Sequence, residues 1–228
     1  MRNLFYILYF IFLQLSLFIY SNSYIDYLSP RNIDQQDALG MTALHYACEN
    51  NNFNRVKYLV KSQNANVNIK DKLNRLPLHI ACYNNNYNIA SLLLQFSSNV
   101  NEEDRANNYP LILAVKHNNY ALVSLLIRFN ADLNVKDDCS MTAVHWACKN
   151  KNYDLIQLLL ENDCNFNILD IDNHTPIHYL YENSYKNNFN ENLYYLLKKK
   201  DINRNCLIFF IEKVYNKITK FKVINKNN

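Results

Sequence analysis

At 228 residues the chain is long enough for one sizeable core, and its patterning suits a linear array better than two globules. A net charge of +4 is mixed along the chain, its excess near the C-terminus (Lys198–Lys200, then Lys213, Lys217, Lys220, Lys222 and Lys226), not the one-faced basic surface of a nucleic-acid binder. The single glycine, Gly40, excludes glycine-built phosphate loops, and with no Walker A, HExxH or GxSxG run neither an enzyme nor a cofactor is expected.

The first element is the apolar run Leu4–Tyr20, preceded by Arg2. A basic start followed by such a run reads as a signal peptide cleaved after Ser23, with an uncleaved signal anchor or a buried capping helix as alternatives. A helix of about 17 residues reaches only about 25 Å, short of a hydrocarbon core of about 30 Å. The signal reading places the protein in the secretory pathway, secreted or anchored; otherwise it is cytoplasmic. Membrane contact, if any, falls on residues 4–20. Residues 24–36 are polar, contain Pro30, and read as a linker or N-terminal cap.

From Asp37 the chain repeats itself. TALHYAC begins at Thr42, LPLHIAC at Leu76, YPLILAV at Tyr109, TAVHWAC at Thr142 and TPIHYLY at Thr175, a period of about 33 residues. Five residues before each stands an Asp: Asp37, Asp71, Asp104, Asp137, Asp170. An aliphatic run follows each copy, then a motif ending in Asn, as in Asn66–Asn68, Asn99–Asn101, Asp132–Asn134, Asn165–Asn167 and Asp201–Asn203. In the copies that begin with Thr (Thr42, Thr142 and Thr175) that residue suits the N-cap, and Pro77, Pro110 and Pro176 fit the first helical position. Leu44, Leu78, Leu111, Val144 and Ile177 begin the apolar stripe of a first helix, continued by the small Ala47, Ala81, Ala114 and Ala147. Leu155, Leu158 and Leu159 mark a second helix at helical spacing. One such pair cannot bury its apolar face alone, so neighbours must stack.

Five copies in this phase resemble ankyrin repeats, over 37–70, 71–103, 104–136, 137–169 and 170–203. The resemblance implies an all-α repeat solenoid of helix-turn-helix units joined by β-hairpin-like turns. It also implies a non-enzymatic protein that binds another protein through its concave face. A membrane-tethered scaffold is the first alternative, and a nucleic-acid binder using the basic C-terminus the second; a monomer is expected.

With one glycine available, the left-handed turn positions fall to Asn74, Asn107, Ser140 and Asn173, asparagine tolerating that region best after glycine. The general abundance of Asn, Lys, Tyr, Ile and Phe, all with AT-rich codons, reads as compositional bias. The first repeat is one residue longer, around Gln63, and the fifth carries a polar insertion at roughly 183–192. In the third, Tyr109 and Ile112 replace Thr and His, so this repeat is the expected weak link, and restoring both should add about 1 kcal/mol. Residues 204–228 form a C-terminal capping helix with a basic tail, on the 3–4 spacing of Leu207, Ile211, Val214, Ile218 and Phe221; a membrane-surface helix is the minority reading.

His45, His79, His145 and His178 share one phase, so stacking holds them roughly 8–10 Å apart, too far for one zinc ion; no metal is expected. Cys48, Cys82 and Cys148 are likewise a repeat apart and read as packing residues. The resemblance places the partner-binding surface on the exposed side of the first helices: Tyr46, Ile80, Tyr83, Leu113, Lys116, Trp146, Lys149 and Tyr179. Trp146 is expected to anchor it from an exposed position, so that its truncation leaves the melting temperature within a few degrees.

Overall fold

The computed structural model describes residues 32–182. Nine helices lie among them: α1 (Ala43–Glu49), α2 (Phe53–Ser62), α3 (Pro77–Tyr83), α4 (Tyr87–Gln95), α5 (Pro110–Lys116), α6 (Tyr120–Arg128), α7 (Ala143–Lys149), α8 (Tyr153–Glu161) and α9 (Pro176–Glu182). The odd-numbered helices pack on one another in a row, the even-numbered ones form a second row, and each pair closes the core between them. The described stack is thus four full helix pairs and the first helix of a fifth. Outside it lie the apolar run within 1–23, most of the 24–36 linker, the insertion at 183–192, the fifth repeat's second helix and the C-terminal cap over 204–228.

The sequence pattern explains the burial. Leu44, Leu78, Leu111 and Val144 are fully enclosed, as are Ala47, Ala81, Ala114 and Ala147, whose small side chains let adjacent first helices approach. Leu155 and Leu159 are buried and Leu158 partly so, which turns one face of α8 inward. Burying a Leu or Val fully is worth about 1.5–3 kcal/mol, so the shared core between neighbours is what makes the array stable. The longer first repeat places its extra residue in α2, which has 10 residues against 9 in α4, α6 and α8.

No strand occurs among the described residues. The hairpin-like connections are turns in which Asp37 N–H donates to Met41 O and Gly40 N–H to Asp37 O, repeated around Asp71, Asp104, Asp137 and Asp170. Single backbone bonds link successive tips: Lys72 N–H to Leu39 O (3.0 Å), Arg105 N–H to Leu73 O (2.9 Å) and Ile171 N–H to Cys139 O (3.0 Å). Asn74, Asn107, Ser140 and Asn173 take positive φ, as expected, and so does Gly40. At Gly40 a Cβ would stand 2.8 Å from the backbone nitrogen of Lys72, so the tip-to-tip approach excludes a side chain there.

The asparagines do more than compositional bias requires. Asn52, Asn86, Asn119 and Asn152 cap the second helices, each accepting from the amide three residues on. The NxN motifs form a ladder from repeat to repeat: Asn68 Oδ1 accepts from Asn99 N–H, Asn101 Oδ1 from Asp132 N–H, and Asn134 Oδ1 from Asn165 N–H, each at 2.8 Å. These polar ties lie along an exposed edge, where the core gives no register of its own.

The histidines hold the first helices together. The Thr42 N–H and hydroxyl both reach His45 Nδ1 (3.1 and 2.9 Å), a capping-box bracket with imidazole in the usual Glu position. With Nδ1 accepting, Nε2 carries the proton and donates to Arg75 O of the next repeat (3.2 Å). His79 repeats this toward Glu102 O (3.0 Å) and His145 toward His174 O (3.3 Å). Burial pushes all three imidazoles below their usual pKa, against the pull of those carbonyls, which keeps them neutral. In the third repeat Ile112 fills the same place at 0 % exposure, and Tyr109 turns its hydroxyl to Glu103 (2.7 Å). That hydrogen bond, with burial, pushes the Tyr109 phenol up to about 12. Apolar packing has replaced the polar tie there, so α5 is packed on both sides like its neighbours.

Candidate binding face

The residue after each histidine position was expected to point outward from the first-helix row. Only the aromatic ones do so, and only in part. Tyr46, Trp146 and Tyr179 are half-buried and rest against the core, whereas Ile80 is 4 % and Leu113 7 % exposed. A continuous exposed stripe through Ile80, Leu113, Trp146 and Tyr179 is therefore corrected. Adjacent first helices, about 8–10 Å apart, cover an aliphatic side chain at this position and leave room only for a ring to emerge.

The aromatic residues also have a structural partner. Tyr46 OH donates to Asp37 Oδ2, Trp146 Nε1–H to Asp137 Oδ2 (2.8 Å), and Tyr179 OH to Asp170 Oδ2. In each turn the other carboxylate oxygen accepts two backbone amides, Leu39 and Met41 in the case of Asp37. Burial raises the Asp37 and Asp170 carboxyls, but these hydrogen bonds outweigh it and hold both below the usual value. Where no aromatic donor exists, another residue supplies it: Arg75 Nε donates to Asp71 Oδ2 (2.8 Å) and Asn108 Nδ2 to Asp104. The donor thus stands four residues after the Asp in the second and third repeats, and nine after it in the first, fourth and fifth. The signal was present in the sequence as an exchange between Met41/Tyr46 and Arg75/Ile80, and was missed.

Trp146 is accordingly part of the fold, and the expectation that its truncation spares the melting temperature is corrected. Its removal would strip a donor from Asp137, whose side chain is 5 % exposed. The residues one helical turn along form the accessible row. Tyr83 is 67 % exposed and makes an edge contact with His117 (6.3 Å). Lys116 Nζ lies 4.5 Å from the Trp146 ring centroid, 3.4 Å from Asp137 Oδ2 and 3.3 Å from Asn108 Oδ1. Lys149, exposed, stands 4.8 Å from the Trp146 centroid and 5.8 Å from that of Tyr179. Turn tips add the exposed Leu39, Leu73 and Ile171.

Other candidate chemistry resolves into packing. Among the described residues Cys48, Cys82, Cys148 and Cys164 are buried and Cys139 is exposed, none of them in a disulfide, and burial pushes the first three thiols far above the range where a thiolate forms. Asp170, Asp172 and His174 bring possible ligand atoms within 4.8 Å of one another. There Asp170 Oδ1 accepts the Asp172 and His174 amides, the same turn as in every repeat. No helix among the described residues is long and apolar enough to cross a membrane.

The family model described as ankyrin repeats (3 copies) matches residues 15–104 and 111–206, well over half of the chain. The upstream limit of the match falls inside the apolar run Leu4–Tyr20. No curated protein matches the chain.

Proposed function

This chain belongs to the ankyrin-repeat family, whose repeats are generally protein–protein interaction modules, and from that premise we propose that it binds another protein through the first-helix and turn-tip face. The observation that carries the proposal is the row Tyr83, Lys116 and Lys149. Tyr83 exposes two-thirds of its surface on a helix whose neighbouring positions are buried. Tyrosine contributes large contact area at low entropic cost, which suits an interface more than a solvated helix face. Trp146 lies against both Lys116 and Lys149, and Tyr179 against Lys149; Tyr46, Ile80 and Leu113 belong to the column one helical turn earlier. The turn tips Leu39, Leu73 and Ile171 extend the apolar area beyond the helices.

The test is quantitative capture from an extract of the source cells. The baits are the wild-type chain, a Tyr83→Ala/Lys149→Ala variant and an outer-helix control, Gln157→Ala. Interface anchors typically cost at least about 2 kcal/mol when truncated and peripheral residues almost nothing. Loss of the same bound proteins from the first variant but not from the control is expected. Equal recovery by all three baits would place the working surface elsewhere.

A further inference from the structure

The described stack begins as though another repeat stood before it. Asn32-Ile33-Asp34, within the stretch expected to be a linker, reproduces the NxN motif one period upstream of Asn66-Val67-Asn68. Asp34 Oδ1 accepts from Asn66 N–H at 2.9 Å, the same rung that Asn68, Asn101 and Asn134 make to their own downstream neighbours. Ile33 packs against the core, partly enclosed where Val67, Val100, Leu133 and Phe166 are buried. At those other places the motif follows a second helix, α2, α4, α6 or α8. The upstream side of α2 is also left open by the described residues. Across the groove between α2 and α4, Phe53, Lys57 and Lys61 face Asn88, Leu92 and Gln95. Leu92 thus looks toward the preceding repeat, and Leu125 holds the same place on α6; both are 5 % exposed. Tyr58 holds that place on α2 and is 47 % exposed. A half-open ring in a column otherwise filled by leucine marks an end of the core that lacks its cap.

The upstream sequence supplies a matching layer. A step of about 31 residues, slightly shorter than the usual period, sets Leu13-Gln14-Leu15-Ser16 on Leu44-His45-Tyr46-Ala47. The same step sets Ser21 on the capping Asn52, and Ile25 and Leu28 on the buried Val56 and Leu59. These are the positions that carry the first helix, the cap and the second helix of a described repeat. The register seen across the α2/α4 groove then brings Asp26 opposite Lys57, Tyr58 and Lys61. Asp26 is the only acid among residues 1–31, and α2 has no acid of its own. The family match begins at residue 15, inside this stretch. We infer that residues 13–31 form an irregular upstream repeat that packs on the α1/α2 end of the stack and closes the core at Tyr58. The segment is therefore kept in the working protein, not removed as a leader after Ser23.

This does not depend on the binding face proposed above. The test takes the full chain, made by cell-free translation without membranes, and follows hydrogen–deuterium exchange by mass spectrometry. Wild type is compared with Tyr58→Ala and with Tyr58→Leu, leucine being the residue of the interior repeats. Amides of residues 15–28 are expected to exchange about tenfold or more slower than in an unfolded chain, as docked elements do. Tyr58→Ala should speed that exchange while α7 and α8 keep theirs, which separates undocking from general unfolding. Tyr58→Leu should preserve it. Exchange of residues 15–28 at the unfolded rate would overturn the inference, as would protection indifferent to Tyr58→Ala. Protection that appears only as protein concentration rises would overturn it in favour of a second copy of the chain at this end. In protein recovered from its source cells, mass measurement should find residues 15–31 still attached and the chain absent from alkali-washed membranes. Cleavage after Ser23 would overturn the inference in favour of a leader, and retention in those membranes in favour of an anchor.

Discussion

The exchange of carboxylate donors between repeats can be tested by transplanting one solution into another. Asp137 Oδ2 takes its donor from Trp146 in the fourth repeat; Asp71 Oδ2 takes Arg75 Nε and Nη2, each at 2.8 Å, in the second. The corresponding change is Trp146→Ile with Met141→Arg, which rewrites the fourth repeat in the second repeat's terms. Trp146→Ile alone removes a hydrogen bond to a buried carboxylate, a loss of about 1.5–3 kcal/mol, plus the packing of a half-buried ring. Met141→Arg alone places a guanidinium at a 3 % exposed position while Trp146 still holds the carboxylate oxygen, so it also destabilises. Together the arginine supplies the missing donor. A favourable coupling of about 1.5 kcal/mol is expected, at the lower end of what a charged hydrogen bond contributes. At about 2–4 °C per kcal/mol for a chain of this size, the double variant should melt about 3–6 °C above the additive expectation. Reversible urea and thermal unfolding of all four proteins, followed by far-ultraviolet circular dichroism, gives the coupling directly. Additivity within about 0.5 kcal/mol would refute the view that the two donors do the same work.

Three further outcomes follow from the packing. Tyr109→Thr with Ile112→His, expected from the sequence to stabilise, should instead melt below wild type, because a fully buried isoleucine is worth about 1.5–3 kcal/mol against about 1 kcal/mol for a cap; a higher melting temperature would show the polar tie to be worth more than the packing. Burial holds His45, His79 and His145 below the usual imidazole value of 6.5, so between that value and their folded ones the unfolded chain binds more protons than the native chain. Their contribution is complete above pH about 6.5 and is lost as the pH falls below it; urea midpoints equal at neutral and mildly acid pH would contradict this. Gly40→Ala should lose more than about 1 kcal/mol through positive φ and the clash with Lys72 N, while Asn107→Gly, at an equivalent turn, should be close to neutral in the same denaturation experiment.

How far the sequence could be read differs between the core and the face, for a physical reason. Leu44, Leu78, Leu111 and Val144 were legible because helical spacing fixes direction and repetition fixes phase; the same two facts located the turns at Asn74, Asn107, Ser140 and Asn173. The position after each histidine was not legible by that route. Helix phase points it outward, but its exposure is decided by the distance to the neighbouring first helix, which no single repeat contains. Ile80 and Leu113 are short enough to be covered, while the rings of Tyr46, Trp146 and Tyr179 emerge and are then claimed by Asp37, Asp137 and Asp170. The donor exchange could be found only by comparing residues four and nine beyond each Asp across repeats, since neither column is uniform. One consequence concerns where to look for binding. The column whose aromatic residues suggested an interface is largely committed to the fold, and the column one turn later, with Tyr83 and Lys149, is the one whose side chains the fold leaves accessible. A search for the partner surface that mutates the aromatic column first would therefore measure stability before it measured recognition.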